Sequence, residues 1–328
     1  MAFGSSMDFP AALQILSILL WLPLYVVLGS ISIFLLVTKY WMLSVFFLAW
    51  QAYDWKTPRH GGRRSDWVRN WTLWKYFRDY FPIKLVKTCE LSPSHNYIIG
   101  SHPHGIFSQG AFCNFATEAT GVAQIFPGIV PSLITLERFF LFPIVREFLM
   151  AKGICPASPS AMKHLLTERG SGNAVILMVG GAAEALLAQP GKATLFLKNR
   201  KGFVRLALQT GAYLVPSYSF GENETFNQKF FPDGSWLSFI QRKIKATLGI
   251  TICVFYGQGF TRHSWGFLPL RQPITTVVGE PLPIPNVEEP CQEMVDRYHA
   301  LYLKALRELF DEHKAKYGIS ETQELVFS

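Results

Sequence analysis

The chain has 328 residues, of which 49% are hydrophobic and only 16% are charged, against about a quarter in typical globular proteins. This composition excludes a disordered chain, and 15% aromatic residues are typical of a protein that contacts lipid. The net charge of +8 suits an anionic membrane surface, nucleic acid or an anionic cofactor, without choosing among them. The five cysteines are dispersed and lack CxxC spacing, so we interpret them as reduced thiols on the cytosolic side.

The N-terminal region predicts a membrane hairpin. Residues 9–38 carry no charge, and the apolar run resumes beyond Lys39. One span needs about 20 residues, so this length predicts two arms. A turn at Gly29-Ser30 would bury Lys39 in the membrane, at a cost of about 2.5–3.5 kcal/mol. A turn at residues 38–41 places the charge at an interface, and we predict the turn there.

The charges after the hairpin predict its orientation. A run of basic residues follows at once: Lys56, Arg59, Arg63, Arg64 and Arg69. The positive-inside rule places this run in the cytosol. Because both ends of a hairpin share one side, we predict a membrane hairpin at residues 1–53 and a cytosol-facing, membrane-associated domain at residues 54–328. The glycosylation sequons at Asn70 and Asn223 would then stay unmodified.

The remaining chain alternates short apolar runs with helical patterns. Strands are predicted at residues 96–101, 174–179, 213–220, 250–256 and 274–279. Helices are predicted at residues 110–120, 159–168, 200–210 and 292–317. Pro290 before the last helix and Gly318 after it mark its ends. Such alternation favours an α/β domain with a mostly parallel sheet flanked by helices.

A His-Pro-His-Gly motif at residues 102–105 directly follows the first predicted strand. Parallel sheets place ligands and catalysts at this end of a strand. A neutral imidazole of His102 or His104 there can deprotonate an alcohol that attacks a carbonyl. A surface turn with incidental histidines is the structural alternative. A metal site would need a third ligand, which neither an HExxH motif nor an adjoining carboxylate cluster provides.

A second motif, Gly180-Gly181-Ala182-Ala183-Glu184, ends the strand predicted at residues 174–179. A glycine pair after a strand can turn backbone N–H groups toward a developing oxyanion. Glu184 would then be a second polar group at the same sheet edge. The alternative is an ordinary strand-to-helix turn with Glu184 in the first helical turn.

The third motif is a basic run at residues 198–205, which contains Arg200, Lys201 and Arg205. Such a run can bind the phosphates of a nucleotide-like cofactor, or form a solvated face beside anionic lipid. The sequence contains neither a P-loop nor a dinucleotide-binding glycine motif, which disfavours nucleotide hydrolysis and dinucleotide chemistry. A fourth motif ends at Glu222, for which we expect a structural role.

Together these motifs resemble the diacylglycerol acyltransferase 2 family, which includes monoacylglycerol and wax alcohol acyltransferases. The matching segments fall in the family's order: Tyr80-Phe81-Pro82, His102-Pro103-His104-Gly105, Gly180-Gly181-Ala182-Ala183-Glu184, Arg200-Lys201-Gly202-Phe203 and Val278-Gly279-Glu280-Pro281. The resemblance covers nearly the whole chain and is closest to the wax alcohol and diacylglycerol acyltransferase 2-like branch. His60 and the stretch at residues 256–259 depart from the family's pattern, which bears on acceptor choice or coenzyme A contacts.

The resemblance implies an acyltransferase-like fold and a multi-pass or hairpin enzyme of the endoplasmic reticulum membrane that moves an acyl group from acyl-CoA to a lipid hydroxyl. It implies that three residues are catalytic: His104, His102 of the same motif, and Glu184. The expected acyl-CoA contacts are Gly105, Gly180, Gly181, Arg200, Lys201 and Arg205. We expect His104 to take the hydroxyl proton, Glu184 to orient or charge the imidazole, and backbone N–H groups near Gly105 or Gly180-Gly181 to stabilise the oxyanion.

The expected acceptor is a long-chain fatty alcohol, which gives a wax ester. Diacylglycerol or monoacylglycerol, which leads to triacylglycerol, is the alternative. The predicted partners are acyl-CoA, the lipid alcohol and membrane lipid. We predict no binding of nucleic acid or metal and no permanently bound cofactor. The sequence is compatible with a homo-oligomer. Cys113 is the alternative covalent nucleophile, but its uncharged surroundings would not lower its pKa. Two other functions are alternatives. A non-enzymatic lipid-surface protein would also have the hairpin but would not need the His-Pro-His-Gly motif or the α/β core. A transporter would need more membrane spans than this chain can supply.

Overall fold

A seven-stranded sheet runs through the computed structural model, which describes residues 9–232, 234–248, 253–259 and 265–328. The strand order is β1-β11-β7-β2-β5-β3-β4. The strands are β1 (Lys84–Lys87), β2 (Tyr97–His102), β3 (Val130–Thr135), β4 (Ile154–Pro156), β5 (Asn173–Leu177), β6 (Thr194–Leu195), β7 (Tyr213–Phe220), β8 (Asn227–Lys229), β9 (Val254–Gln258), β10 (Trp265–Gly266), β11 (Thr275–Val278) and β12 (Val326–Phe327). Neighbouring strands of this sheet are parallel except for β11 and β7.

Helices cover both faces of the sheet. They are α1 (Phe9–Val37), α2 (Trp41–Tyr53), α3 (Asp66–Arg69), α4 (Thr72–Tyr80), α5 (Gln109–Phe115), α6 (Val122–Ile125), α7 (Pro143–Ala151), α8 (Pro159–Thr167), α9 (Gly181–Ala185), α10 (Gly202–Thr210), α11 (Trp236–Leu248) and α12 (Gln292–His313). Short 3₁₀ turns lie at Thr57–His60, Glu137–Leu141, Glu222–Thr225 and Ala315–Tyr317. The mostly parallel α/β fold predicted from the sequence is therefore confirmed.

Most predicted strands belong to the main sheet. The strand at residues 213–220 matches β7 residue for residue, while β2 and β5 shift by one or two positions. The strand predicted at residues 250–256 is partly wrong. Residues 250–252 lie outside the described residues, and β9 pairs antiparallel with β8 and β10 in a separate small sheet. Its residues are half-exposed, whereas β2 is buried throughout.

The predicted helices end close to their predicted limits. Ser158 begins α8 by accepting a hydrogen bond from the Ala161 N–H at 3.3 Å, as an N-cap serine does. The helix predicted at residues 110–120 is shorter, because α5 ends at Phe115. Gly318 adopts a φ of +82° after the last 3₁₀ turn, a left-handed conformation that favours glycine and ends the helical segment.

Two apolar clusters pack on opposite faces of the sheet. Tyr97 and Ile99 belong to one cluster, with residues of α4 and α5. Ile98 belongs to the other, with residues of α10 and α12. This alternation follows from the period of two along a strand. It also determines on which face of the sheet each side chain near the end of β2 lies.

The N-terminal helices α1 and α2 contact each other and pack against α4 and α7. The chain turns at residues 38–40, between α1 and α2, at the predicted position and not at Gly29-Ser30. Of the helices described, none by itself has the length and apolarity to cross a membrane. The halves of α1, Phe9–Trp21 and Leu24–Val37, meet at a 45° bend and satisfy both criteria only together.

One face of α1 is part of the domain's core. Ile18 and Trp21 are buried in the same cluster as α4 and α5. Lys152, just after α7, is fully buried, and its ammonium group lies 3.9 Å from the Phe148 ring centroid and donates to the Tyr25 hydroxyl of α1. Burial lowers the pKa of Lys152 well below its ordinary value. Helix α1 is thus joined to the domain by both apolar and polar contacts.

Candidate active site

Three of the predicted motifs meet at one edge of the sheet. Strands β7, β2 and β5 are adjacent and parallel, so their carboxyl ends lie side by side. The His-Pro-His-Gly motif begins at the end of β2, the glycine pair follows β5, and Glu222 follows β7. This edge is where open α/β sheets place their ligands.

His104 lies half-buried on the loop between β2 and α5. Its ring Nδ1 is 3.0 Å from the Gly105 carbonyl oxygen. Because a carbonyl only accepts hydrogen bonds, Nδ1 carries the proton and Nε2 keeps its lone pair. Burial lowers the pKa of His104 below its ordinary value of 6.5. The imidazole is therefore neutral at pH 7, in the form that a general base needs.

Glu184 binds the backbone of the same loop. Its Oε1 accepts from the His104 N–H at 2.6 Å, and its Oε2 accepts from the Phe196 N–H at 2.9 Å. Burial raises the pKa of Glu184 to about 7, against the opposing effect of these two bonds and the charge of Arg200. The expectation that Glu184 orients the imidazole needs correction, since the carboxylate binds the backbone and so positions the loop.

Glu222 holds the other end of the loop. Its two carboxylate oxygens accept from the N–H groups of Gln109 and Gly110, at 2.6 and 2.8 Å. Burial raises the pKa of Glu222 to about 7. Gly105 has a φ of +59°, and a Cβ there would lie 2.8 Å from Glu222 Cγ, so glycine is required. The only sequence signal for Glu222 is a carboxylate that follows a strand and a glycine, as at Glu184.

His102 differs from His104 in its surroundings. Its side chain is fully buried, and Nε2 lies 3.0 Å from the Tyr302 hydroxyl of α12. Burial lowers the pKa of His102 to about 3. The structure thus places one histidine of the motif against the core and the other on the loop. Tyr302 was missed because its sequence signal is only the apolar spacing of a helix.

The glycine pair shapes the turn that holds Glu184. The Gly181 N–H donates to the Met178 carbonyl at 3.1 Å, so it is not the oxyanion donor that we expected. A Cβ on Gly180 would lie 2.1 Å from Glu184 Oε2. A side chain there would displace the carboxylate, and we therefore assign Gly180 a role in placing Glu184.

The basic run divides into two parts. Lys201 forms an ion pair with Asp296 at 2.7 Å, and Arg205 donates to Gln292 Oε1 at 2.9 Å. These two contacts join the basic run to α12, and phosphate binding by Lys201 and Arg205 stays a prediction. The charge of Arg200 acts on Glu184. Of the three cationic side chains expected to contact acyl-CoA, Arg200 is the one whose charge acts on a residue at this edge of the sheet.

The burial of Cys113 bears on the alternative covalent route. Burial raises the pKa of the Cys113 thiol to about 12, so a nucleophilic thiolate is disfavoured. Across residues 9–232, 234–248, 253–259 and 265–328, no group of three His, Cys, Asp or Glu side chains could hold a metal ion.

The comparisons with known proteins identify the class. The family model for diacylglycerol acyltransferase matches residues 33–328, so the chain belongs to that family and is an O-acyltransferase. It is 63% identical to diacylglycerol O-acyltransferase 2-like protein 6 of Homo sapiens, over 100% of both chains. It is 52% identical to diacylglycerol O-acyltransferase 2 of Danio rerio, over 96% of this chain and 88% of that protein.

A solved structure was also found. The 1-acyl-sn-glycerophosphate acyltransferase PlsC of Thermotoga maritima is similar with a TM-score of 0.42 and 11% identity, over 91% of this chain and 95% of that one.

Proposed function

We propose that the protein transfers a fatty acyl group from acyl-CoA to the hydroxyl of a long-chain alcohol and so makes a wax ester. The observation that supports this proposal is the state of His104. A neutral imidazole with an unprotonated Nε2 lies at the ligand-binding edge of the sheet, on a loop fixed by two buried carboxylates. Such a group is suited to deprotonating an alcohol.

The proposed reaction is a direct transfer. His104 Nε2 takes the alcohol proton while the alcohol oxygen attacks the thioester carbonyl carbon. The tetrahedral species then breaks its C–S bond, and the leaving coenzyme A sulfur takes the proton from the imidazolium. The products are an ester and coenzyme A thiol, and His104 returns to its neutral form. The Gly105 carbonyl, 3.0 Å from Nδ1, would stabilise the transient imidazolium.

Arg200 is the residue we propose to contact acyl-CoA, since Lys201 and Arg205 already bind α12. Guanidinium groups bind phosphate oxygens well because their planar donors match the phosphate geometry. Because the charge of Arg200 acts on Glu184, a phosphate bound by Arg200 would direct the coenzyme toward the edge of the sheet where His104 lies.

The acceptor is the finer part of the proposal. The phenylalanine-rich segment at residues 139–142 lies beside α2, where Gln51 donates to the Phe140 and Leu141 carbonyls at 3.3 Å. Leu141 is exposed there. The alcohol preference therefore rests on the resemblance to the wax alcohol branch. The names of the two relatives favour diacylglycerol as a competing acceptor.

A competition assay tests the acceptor. Microsomes that contain the protein receive hexadecanol and dioleoylglycerol at equal surface concentration with labelled oleoyl-CoA. We expect wax ester as the main product, and microsomes with the His104→Ala variant should make neither ester. Triacylglycerol as the dominant product would contradict the wax ester proposal and establish diacylglycerol as the acceptor.

We further propose that α1 and α2 insert in the endoplasmic reticulum membrane and that residues 54–328 face the cytosol. The outer faces of both helices carry exposed apolar side chains, among them Phe34, Val37, Phe46 and Leu48. Membrane lipid would cover these side chains, since exposed apolar surface of this extent is unfavourable in water.

A further inference from the structure

The side chain of Gln109 is buried without hydrogen-bond partners. It is 1% exposed, and within the described part of the chain neither its Nε2 nor its Oε1 has a partner. Its backbone N–H, in contrast, is held by Glu222 at 2.6 Å. Native proteins rarely leave a buried carboxamide unpaired, because the unpaired group costs stability. The arrangement suits a group that a ligand satisfies.

Gln109 lies on the same loop as the proposed base. The Glu222 Oε1 that accepts from the Gln109 N–H is 3.2 Å from the position of a Cβ on Gly105, the residue after His104. Ser108, the residue before Gln109, donates its hydroxyl to the His104 carbonyl at 2.8 Å. The loop therefore folds back on itself and brings Gly105, the residue after His104, and Gln109 to the same carboxylate, Glu222.

A second buried polar group without a partner among the described residues lies near the end of β2, just before this loop. Ser101 is 1% exposed, and its Oγ is unpaired among the described residues. Ser101 and Gln109 thus bracket the His-Pro-His-Gly motif with unpaired hydrogen-bonding groups. Within the motif, the buried His102 Nδ1 also has no partner among the described residues, whereas backbone N–H groups of the loop are bound by Glu184 and Glu222.

We propose that the Gln109 carboxamide binds the hydroxyl of the acyl acceptor and thereby helps to select it. The proposal rests on the function proposed above. A hydroxyl can both accept from Nε2 and donate to Oε1, whereas a thioester or ester carbonyl can only accept from Nε2. The hydroxyl is therefore the lipid group that satisfies both ends of the carboxamide, and rotation about the C–O bond then turns its proton toward His104.

The test replaces the carboxamide by an apolar side chain of similar size. In the Gln109→Leu and Gln109→Met variants of the full chain, we expect the KM for hexadecanol to rise about fivefold or more, as loss of a hydrogen bond to a substrate hydroxyl does. The KM for oleoyl-CoA should stay within about twofold of wild type, since its thioester carbonyl would not depend on Gln109.

A stability measurement separates this role from a structural one. Because the variants remove an unpaired buried amide, the melting temperature of the detergent-purified protein without substrate should rise. The matched control is Asn114→Leu, which removes a buried amide that donates to the Thr276 hydroxyl at 2.8 Å and should lower the melting temperature. Added hexadecanol should raise the melting temperature of wild type more than that of Gln109→Met.

Three results would overturn the proposal. An unchanged KM for hexadecanol would show that Gln109 does not bind the acceptor. A raised KM for oleoyl-CoA alone would assign the carboxamide to the thioester. A lowered melting temperature in both Gln109 variants would show that Gln109 stabilises the fold and has no need of a ligand. A wild-type protein that forms no ester from hexadecanol would instead contradict the proposed function, and diacylglycerol would then serve as the acceptor in the same measurements.

Discussion

Glu184 and Glu222 bind the two ends of one loop. The first accepts from the His104 N–H and the second from the Gln109 N–H, both at 2.6 Å. Each carboxylate also accepts from a second backbone N–H, of Phe196 and Gly110 respectively. Both side chains are buried. The position of the proposed base therefore depends on two groups that have only acceptor atoms when ionised.

Replacing Glu184 by glutamine should reduce activity by at least about tenfold, since small misplacements of a catalytic group can cost about 10²-fold. A carboxamide has one acceptor and one donor, so one of the two N–H groups would face another N–H. Initial rates of ester formation in microsomes check this expectation. Glu224→Gln is the control, because Glu224 accepts a backbone N–H from Gly191 at a more exposed position. Full activity in Glu184→Gln would contradict the role assigned to the carboxylate.

Removal of the imidazole should abolish ester formation. General base catalysis contributes about 10²–10⁴-fold, so we expect His104→Ala to lose activity by that factor while its expression and membrane association stay near wild type. His95→Ala serves as a control, since His95 is exposed before the amino end of β2 and stacks on Tyr213. Activity above about a tenth of wild type in His104→Ala would remove His104 as the base.

The buried carboxyl groups predict how stability depends on pH. Burial raises the pKa of Glu222 from 4.5 to about 7, so between these values the folded protein binds more protons than the unfolded chain. Its contribution to stability is then fully present below pH 4.5 and is lost as the pH rises through about 7. The melting temperature should therefore be higher at about pH 6 than at about pH 8. The difference should shrink in Glu222→Gln, and an equal difference in both proteins would refute this assignment.

Within the basic run, Arg200 and Lys201 should differ in their effect on acyl-CoA binding. We expect Arg200→Ala to raise the KM for acyl-CoA about tenfold, because a hydrogen bond to a charged group is worth about 1.5–3 kcal/mol. Lys201→Ala should change it less than about twofold and cost little stability, since partly exposed ion pairs contribute about 0–1 kcal/mol. Steady-state kinetics with varied oleoyl-CoA distinguish the two. An equal rise of the KM for oleoyl-CoA in both variants would show that Lys201 also contacts the coenzyme.

The topology proposed for residues 54–328 predicts that neither sequon is modified. Asn70 and Asn223 should remain unglycosylated in cells, because the glycosylation machinery acts in the lumen. The mobility of the protein on a gel before and after glycosidase treatment measures this. A shift after treatment would place the domain in the lumen and refute the orientation. A sequon engineered into residues 38–40, the turn between α1 and α2, tests the opposite side.

The sequence predicts the parts of this fold whose causes are local. Strand β7 is a buried apolar run bounded by glycine, and its limits follow from that pattern. Strand β4 was missed because three residues give too short a pattern. The partners of His102 and Lys201 could not be foreseen either. Tyr302 is 200 residues from His102, and Asp296 is 95 residues from Lys201, so only the folded chain brings them together.

The same limit applies to the roles of individual site residues. The motifs at residues 102–105 and 180–184 were correctly expected at one sheet edge, because parallel strands share their carboxyl ends. That Glu184 would bind a backbone N–H, and not the imidazole, depends on side-chain direction within a short turn. Spacing along the sequence does not determine such a direction.

The packing of Trp21 bears on how the enzyme can be produced. Its ring lies 5.0 Å from that of Phe77, 5.2 Å from Phe112 and 6.3 Å from Phe107, measured between centroids, and Phe107 belongs to the loop that carries His104. A fragment cut at residue 53 to gain solubility would therefore expose the aromatic rings beneath α1 and leave Lys152 without Tyr25. Helix α1 thus covers part of the apolar core of the catalytic domain, and a protein expressed for study should retain this helix.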